Sequence, residues 1–317
     1  MRTLGATGLP VSALGLGLAA LGRPGYINLG HAGDVGDTHV EAMERHAHDV
    51  LDAAYEGGVR YFDAARSYGR AEAFLSSWLG RRGLSRDDVT VGSKWGYTYT
   101  ADWRVDADEH EVKDLSADTL RRQLCETRAL IGEHLGLYQI HSATLESGVL
   151  DDAEVREELA RLREEGVRIG FTATGPRQSA TIEHALEVGG FDAVQATWNL
   201  HERSAGAALA AAHEAGLGVI VKEALANGRL TERGDADGRL TAAARERGTT
   251  PDALALAGVM ARPWVDVVLS GAATVDTLRS NVGALDAQWD ARAEEELATL
   301  AEAAEEYWER RSQLAWN

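Results

Sequence analysis

Three ionisable residues of this 317-residue chain terminate otherwise apolar runs, and a tyrosine follows the first of them. Asp63 follows the apolar start of 59-VRYFDAA, with Tyr68 five residues on. Lys94 closes 89-VTVGSK, and His141 closes 137-LYQIH. Buried charge is costly unless paired, so Asp63 and Lys94 are expected to pair. An ammonium beside a phenol favours the phenolate, so Lys94 is expected to lower the Tyr68 pKa. That would suit a phenol that hands its proton to a developing alkoxide near neutral pH. A histidine beside it can orient a carbonyl or assist the transfer. The set holds a proton donor, its tuning charges and an orienting group, but no strong nucleophile, so the electrons must come from a cofactor.

The four meet only if their runs are neighbouring strands of one sheet. Eight apolar, β-rich runs alternate with helical stretches: 12-SALGLGLA, 59-VRYFDAA, 89-VTVGSK, 137-LYQIH, 167-VRIGFT, 193-AVQAT, 218-GVIVK and 266-DVVLS. Near-continuous apolar strands suit a parallel sheet buried on both faces. The helices carry their own signals. Asp151 with Glu154 reads as a capping box before Val155, Leu159 and Leu162, with Gly166 as the stop. Thr250–Pro251 opens another helix. Thr274 opens a third, whose apolar face is Val275, Leu278, Val282 and Leu285. Eight strand–helix units predict an α/β fold, a (β/α)8 TIM barrel, with its site at the C-terminal strand ends. The reading is one domain over residues 1–317, with an N-terminal hairpin turning at Gly8. Two insertions, 22-GRPGYINLGHAGDVGD and 96-GYTYTADWRVDADEHEVKD, are expected to build a pocket. The aromatic tail 307-YWERRSQLAWN is expected to fold back over the mouth.

In that frame, 62-FDAARSYGRAE resembles the aldo-keto reductase signature, in which an aspartate and a tyrosine five residues on bracket a small turn. Likewise 91-VGSKWG is similar to the family's lysine strand, and 138-YQIH to its histidine strand. The order and spacing match, and the resemblance spans essentially the whole chain. It implies an NAD(P)H-dependent oxidoreductase that reduces an aldehyde, ketone or sugar carbonyl, a small molecule, and runs reversibly. Tyr68 would be the general acid, Asp63 and Lys94 its tuning pair, and His141 the orienting group. The family binds extended NADP(H) without a Rossmann fold, with NAD(H) as the alternative. For that cofactor, Gln195 matches the glutamine that holds the nicotinamide carboxamide, and Thr172 stands where a serine is usual. Ala173 replaces a frequent asparagine. Lys222 replaces a stacking aromatic and Ala224 a proline. Gly271 and Asn281 are kept, but Ala273 and Thr277 stand where an arginine and a glutamine often meet the adenosine phosphate. Reduced discrimination between NADP(H) and NAD(H) is therefore expected.

Composition narrows the rest. A net charge of −18 with no Lys/Arg-dense run excludes the electrostatic footprint of a nucleic-acid binder. No basic amphipathic helix or transmembrane-length run points to a membrane, and no signal peptide is evident, so a cytoplasmic protein is expected. The single cysteine, Cys125, excludes an intramolecular disulfide and reads as a buried, inert thiol. His46 and His48, two apart on a helix, cannot share a face, and no metal site is expected. Trp95, Trp103 and Trp198 are candidates for the pocket wall or simply for the core. Lys222 and Glu223 read equally as a solvated pair or as site residues. Two other functions fit the barrel: a cofactor-sensing or regulatory protein with little turnover, and a glycoside hydrolase using Asp63 and Glu223.

Overall fold

Alternation of apolar runs and helices resolves into a closed barrel in which each strand pairs with the next in chain order. The computed structural model describes all 317 residues. A two-stranded antiparallel hairpin, β1 (Arg2–Thr3) and β2 (Pro10–Val11), precedes it. The barrel is β3 (Leu14–Gly17), β4 (Tyr61–Asp63) and β5 (Thr90–Trp95), interrupted by the hairpin β6 (Tyr97–Tyr99) and β7 (Glu111–Lys113). It continues with β8 (Leu135–Ala143), β9 (Arg168–Ala173), β10 (Ala193–Thr197), β11 (Gly218–Lys222) and β12 (Val267–Ser270). All barrel pairings are parallel, and β12 returns to β3 through Val268–Leu14 and Ser270–Leu16. The eight expected strands are present, with ends shifted by up to two residues at most positions. In the second, only Tyr61–Asp63 of the run has strand pairing.

Apolar residues close both layers. One cluster packs the outer barrel surface against the helices, including Leu16, Val50, Leu51, Phe62 and Phe171. A smaller one fills the N-terminal end of the barrel interior, where Leu4 and Val11 of the hairpin meet Tyr61, Leu137, Ile220 and Val267. The hairpin is thus a plug at the end opposite the site.

The helix signals hold, with local corrections. Thr250 caps Pro251–Met260 and Thr274 caps Val275–Val282, each accepting from the backbone N–H three residues on. The cap of Ala153–Glu164 is Asp152, not Asp151; its carboxylate accepts from Val155 N. Leu285 lies beyond its expected helix and is 49% exposed, because the chain tightens into a 3-10 turn at Gly283. Cys125 is exposed rather than buried, since the inner face of its helix is made by Leu120, Gln123 and Thr127.

Both insertions and the tail gather at the C-terminal side. The second insertion contains the β6–β7 hairpin, and the first contains a short helix, His31–Val35. The tail supplies the helix Ala304–Ser312 and then crosses to the first insertion. There, Tyr26 and Asn317 exchange two backbone hydrogen bonds of 3.1 and 3.2 Å.

His31 is enclosed by this arrangement, 0% exposed, and neither ring nitrogen has a hydrogen-bond partner. Burial pulls its pKa down to about 4, against the opposing charge of Asp34. Because the folded pKa lies below the unfolded value of about 6.5, the unfolded chain takes the proton first as pH falls. The protein should therefore lose stability between about pH 6.5 and pH 4, by up to roughly 3 kcal/mol from this residue. Denaturant melts of wild type and His31→Phe across that range should show a shallower decline in the variant; parallel declines would show that His31 is not the titrating group.

Candidate active site

The site is built around a carboxylate with both oxygens engaged. Asp63 ends β4 opposite Gly92 of β5, which sets Lys94 beyond it at the strand end. Asp63 and Lys94 are each 1% exposed and form a direct ion pair. Lys94 Nζ also donates to the Ala64 carbonyl at 3.0 Å. The other Asp63 oxygen accepts from Tyr61 Oη at 3.1 Å, Gln195 Nε2 at 2.9 Å and Gln139 Nε2 at 3.4 Å. Gly92 makes the first of these contacts possible. A Cβ there would stand 2.3 Å from Tyr61 Oη, so only glycine leaves room for the phenol to cross the barrel interior.

Tyr68 hangs over this pair from the loop after β4. Its hydroxyl lies 3.4 Å from Lys94 Nζ, and the ring of His141 meets it edge-on at 5.5 Å. Burial, and then the Asp63 carboxylate, push the Tyr68 pKa up, with Arg23 the main opposing charge. The expectation of a lowered phenol pKa is therefore reversed. Asp63 in contact balances the charge of Lys94, so what reaches Tyr68 is the field of a pair rather than of a lone ammonium. The phenol stays protonated at neutral pH, the form a proton donor requires. His141 is driven well below its usual pKa by burial and by Lys94, Lys222, Arg23 and Lys113, so it is a neutral imidazole. It lies between the rings of Tyr68 and Tyr97, and its Nδ1 is buried without a partner.

A cavity of about 590 Å³ opens from these residues. Asp63, Tyr68 and His141 line one end, and Lys222 and Gly271 its course. Thr250, Thr277, Ser280 and Asn281 line the other end. Of the residues expected to hold a cofactor, Gln195, Lys222, Gly271 and Asn281 face it. Thr172 does not: it is fully enclosed, and its hydroxyl accepts from Ser142 N at 2.6 Å. Thr174, two residues on, lines the cavity in its place. Gly271 leaves open space, since a Cβ there would meet nothing nearer than Asn28 Nδ2 at 3.9 Å. The Asn281 amide fits with its nitrogen on Asp252 at 2.7 Å and its oxygen on the Ser270 hydroxyl at 2.8 Å.

Lys222 and Glu223 are not a solvated pair. Lys222 donates to Thr197 Oγ1 at 3.0 Å, and burial pulls its ammonium down to about 8, with Glu223 opposing. Burial alone would raise the Glu223 carboxyl, but Arg311 and then Lys222 outweigh it and hold it at about 2. Arg311 reaches Glu223 from the tail helix with Nε and Nη2, at 2.5–2.9 Å. Glu223 itself sits at φ +54°, a left-handed conformation rare outside glycine.

Trp95, Trp103 and Trp198 all lie off the cavity wall, whereas Trp316 is on it. Arg23, Tyr26, Asn28 and Arg311 also line it, and no spacing rule singles them out. Their only signal is the position of their segments, an insertion and a tail on the side where a barrel keeps its site. Ala273 lines the far end with its carbonyl bonded to His46. Arg279 turns outward, 73% exposed, 3.6 Å from Asp276.

Known proteins resemble this chain over nearly its whole length. The family model described as "Aldo/keto reductase family" matches residues 14–304. Two uncharacterized oxidoreductases of Bacillus subtilis are similar: YqkF, 24% identical over 90% of this chain and 91% of its own, and YrpG, 25% identical with the same coverages. Among solved structures, aldo-keto reductase AKR11C1 from Bacillus halodurans, in its holo form, superposes with a TM-score of 0.75 at 24% identity, covering 96% of both chains. PA4992 of Pseudomonas aeruginosa, described as a putative aldo-keto reductase, gives 0.66 at 27% identity, covering 90% of this chain and 94% of its own.

The geometry of the buried pair predicts a specific pattern of stability. Lys94→Met leaves Asp63 buried with neutral donors only and should cost about 3–5 kcal/mol. Lys94→Met combined with Asp63→Leu removes the stranded charge and should recover part of that loss. Denaturant melts of the two singles and the double provide the test; strictly additive losses would mean the two groups are not coupled.

Proposed function

The chain belongs to the aldo-keto reductase family, an oxidoreductase family, and on that premise we propose that it reduces an aldehyde, ketone or sugar carbonyl with NAD(P)H. The observation that carries this reading is Tyr68 Oη, 3.4 Å from a buried Lys94–Asp63 pair at the inner end of the cavity. Bound NAD(P)H would supply the hydride to the carbonyl carbon. Tyr68 gives its proton to the carbonyl oxygen as the C=O π bond breaks, and the phenolate is then reprotonated from water. Lys94 holds the phenol and stabilises the phenolate left behind. Asp63 fixes Lys94. Neutral His141 offers a ring N–H to the carbonyl oxygen and orients it. A buried, protonated phenol also implies that reduction persists to high pH rather than failing near neutrality.

The residues present fit a dinucleotide. Gln195 turns its amide nitrogen to Asp63, while its amide oxygen has no protein partner and is available to a carboxamide. Lys222 would lie beside the nicotinamide, its stem covering the ring. The open face of Gly271 admits close approach, and Asn281 and Asp252 would meet the adenosine. No helix is long and apolar enough to cross a membrane. The hydrolase reading finds no support, because a glycosidase needs a protonatable acid. Glu223 is held ionised by Arg311, and Asp63 is fully paired.

Two outcomes are expected. Tyr68→Phe removes only the transferable proton, so turnover should fall on the order of a hundredfold or more while cofactor affinity is nearly unchanged. Normal turnover in that variant would refute the assigned role. The second concerns the far end of the cavity, where Ala273, Thr277 and Ser280 supply no cation and Asp252 supplies a carboxylate. A carboxylate suits ribose hydroxyls, whereas a 2′-phosphate calls for arginine. Titration of NADPH and NADH by protein fluorescence should give affinities within roughly tenfold of each other. A preference for NADPH above roughly a thousandfold, about 4 kcal/mol, would mean that a basic residue such as Arg279 or Arg233 reaches the phosphate.

A further inference from the structure

The reacting end of the cavity is positively charged in a chain of net charge −18. Asp63 and Lys94 cancel each other. Outside that pair, Arg23, Lys222 and Arg311 line this end, and Lys113 stands close to His141. Their ion-pair partners are two carboxylates, Glu111 and Glu223. The strongest charges acting on His141, those of Lys94, Lys222, Arg23 and Lys113, are cations.

Among them Arg23 is built in most firmly. It is 3% exposed, and its guanidinium carbon lies 5.3 Å from the ring centres of Tyr26 and Tyr68 and 4.6 Å from that of Trp316. Nη1 donates to the Ser67 carbonyl and to Glu111, each at 2.9 Å, and Nε is enclosed without an acceptor. Nη2 has no protein partner, on a residue that lines the cavity. A buried guanidinium with unmet donors, next to the phenol that delivers the proton, calls for an anionic acceptor. Glu111 supplies part of that need from the Nη1 side and leaves Nη2 free.

We propose that the carbonyl substrate carries a carboxylate, and that Arg23 anchors it through Nη2 so that the carbonyl oxygen meets Tyr68 and His141. The class is a short oxo acid, an aldehyde or ketone with the acid group a few bonds away, because the guanidinium packs against the Tyr68 ring. Its product is the corresponding hydroxy acid. The inference builds on the reductase reading above. Arg23 acts by binding and placing the substrate; it takes no part in moving the proton or the hydride.

The test compares succinic semialdehyde with its methyl ester, which keeps the aldehyde and removes the charge. Wild type should show a kcat/KM at least roughly tenfold higher for the acid, as expected for one charge-assisted contact. The advantage should lie in KM and shrink as salt is raised. Arg23→Met should collapse the acid-to-ester ratio towards one, and Arg23→Lys should retain part of it. Succinate, which cannot be reduced, should bind wild type and alter the fluorescence of Trp316 beside Arg23, independently of any turnover. Equal kcat/KM for acid and ester in wild type, with no succinate binding, overturns the proposal and leaves the reductase reading standing. Succinate binding that Arg23→Met abolishes, with no carbonyl reduced, keeps the anion site and overturns the reductase reading. The wild-type comparison decides the matter even if Arg23→Met fails to fold.

Discussion

Everything in the site depends on placing a lysine and an aspartate inside a protein and keeping both charged. In a low-dielectric interior neither ion survives alone, and contact between them offsets desolvation only with good geometry and further hydrogen bonds. The barrel meets that demand from four strands. β4 brings Asp63, β5 brings Lys94, and β8 and β10 bring the amides of Gln139 and Gln195. Tyr61 reaches Asp63 only because β5 has a glycine where a side chain would block it. The pair therefore constrains strand register and interior packing together, and the position of Tyr68 depends on both.

This constraint also explains which parts of the protein are readable from the sequence. The barrel is legible because eight parallel strands must be apolar on both faces, and because Asp63, Lys94 and His141 stand out at their ends. Order and spacing then point to the family without knowledge of any contact. The Tyr68 pKa is not legible, because its direction depends on whether Lys94 faces the phenol as a free charge or as half of a pair. Thr172 defeats a sequence reading for a similar reason. The irregular stretch of β8 around Ser142, at φ +58°, turns a backbone N–H onto its hydroxyl. Cys125 has the neighbours of a buried residue, but only the rotation of its helix decides which side faces in.

The cavity wall is the least legible part. Arg23, Tyr26 and Trp316 come from irregular segments and Arg311 from the end of a short helix, and the insertion meets the tail through contacts between residues hundreds of positions apart. Such segments carry no alternation that predicts which side chain faces inward. Chemistry and selectivity are thus encoded differently here. Asp63, Lys94 and His141 sit on strands, where the pleat fixes their direction, with Tyr68 on the short loop directly after β4. The selecting groups sit on the insertion and the tail, where only tertiary contact fixes it.

The backbone bonds between Tyr26 and Asn317 give that division a kinetic side. They join positions near opposite ends of the chain, so the entropy of closing so large a loop must already be met when they form. The closing of the barrel meets it, by bringing β12 alongside β3. Closure of the mouth thus depends on closure of the barrel, whereas the buried pair beneath depends only on its own strands. Hydrogen exchange at those two amides reports on opening of the mouth separately from opening of the barrel.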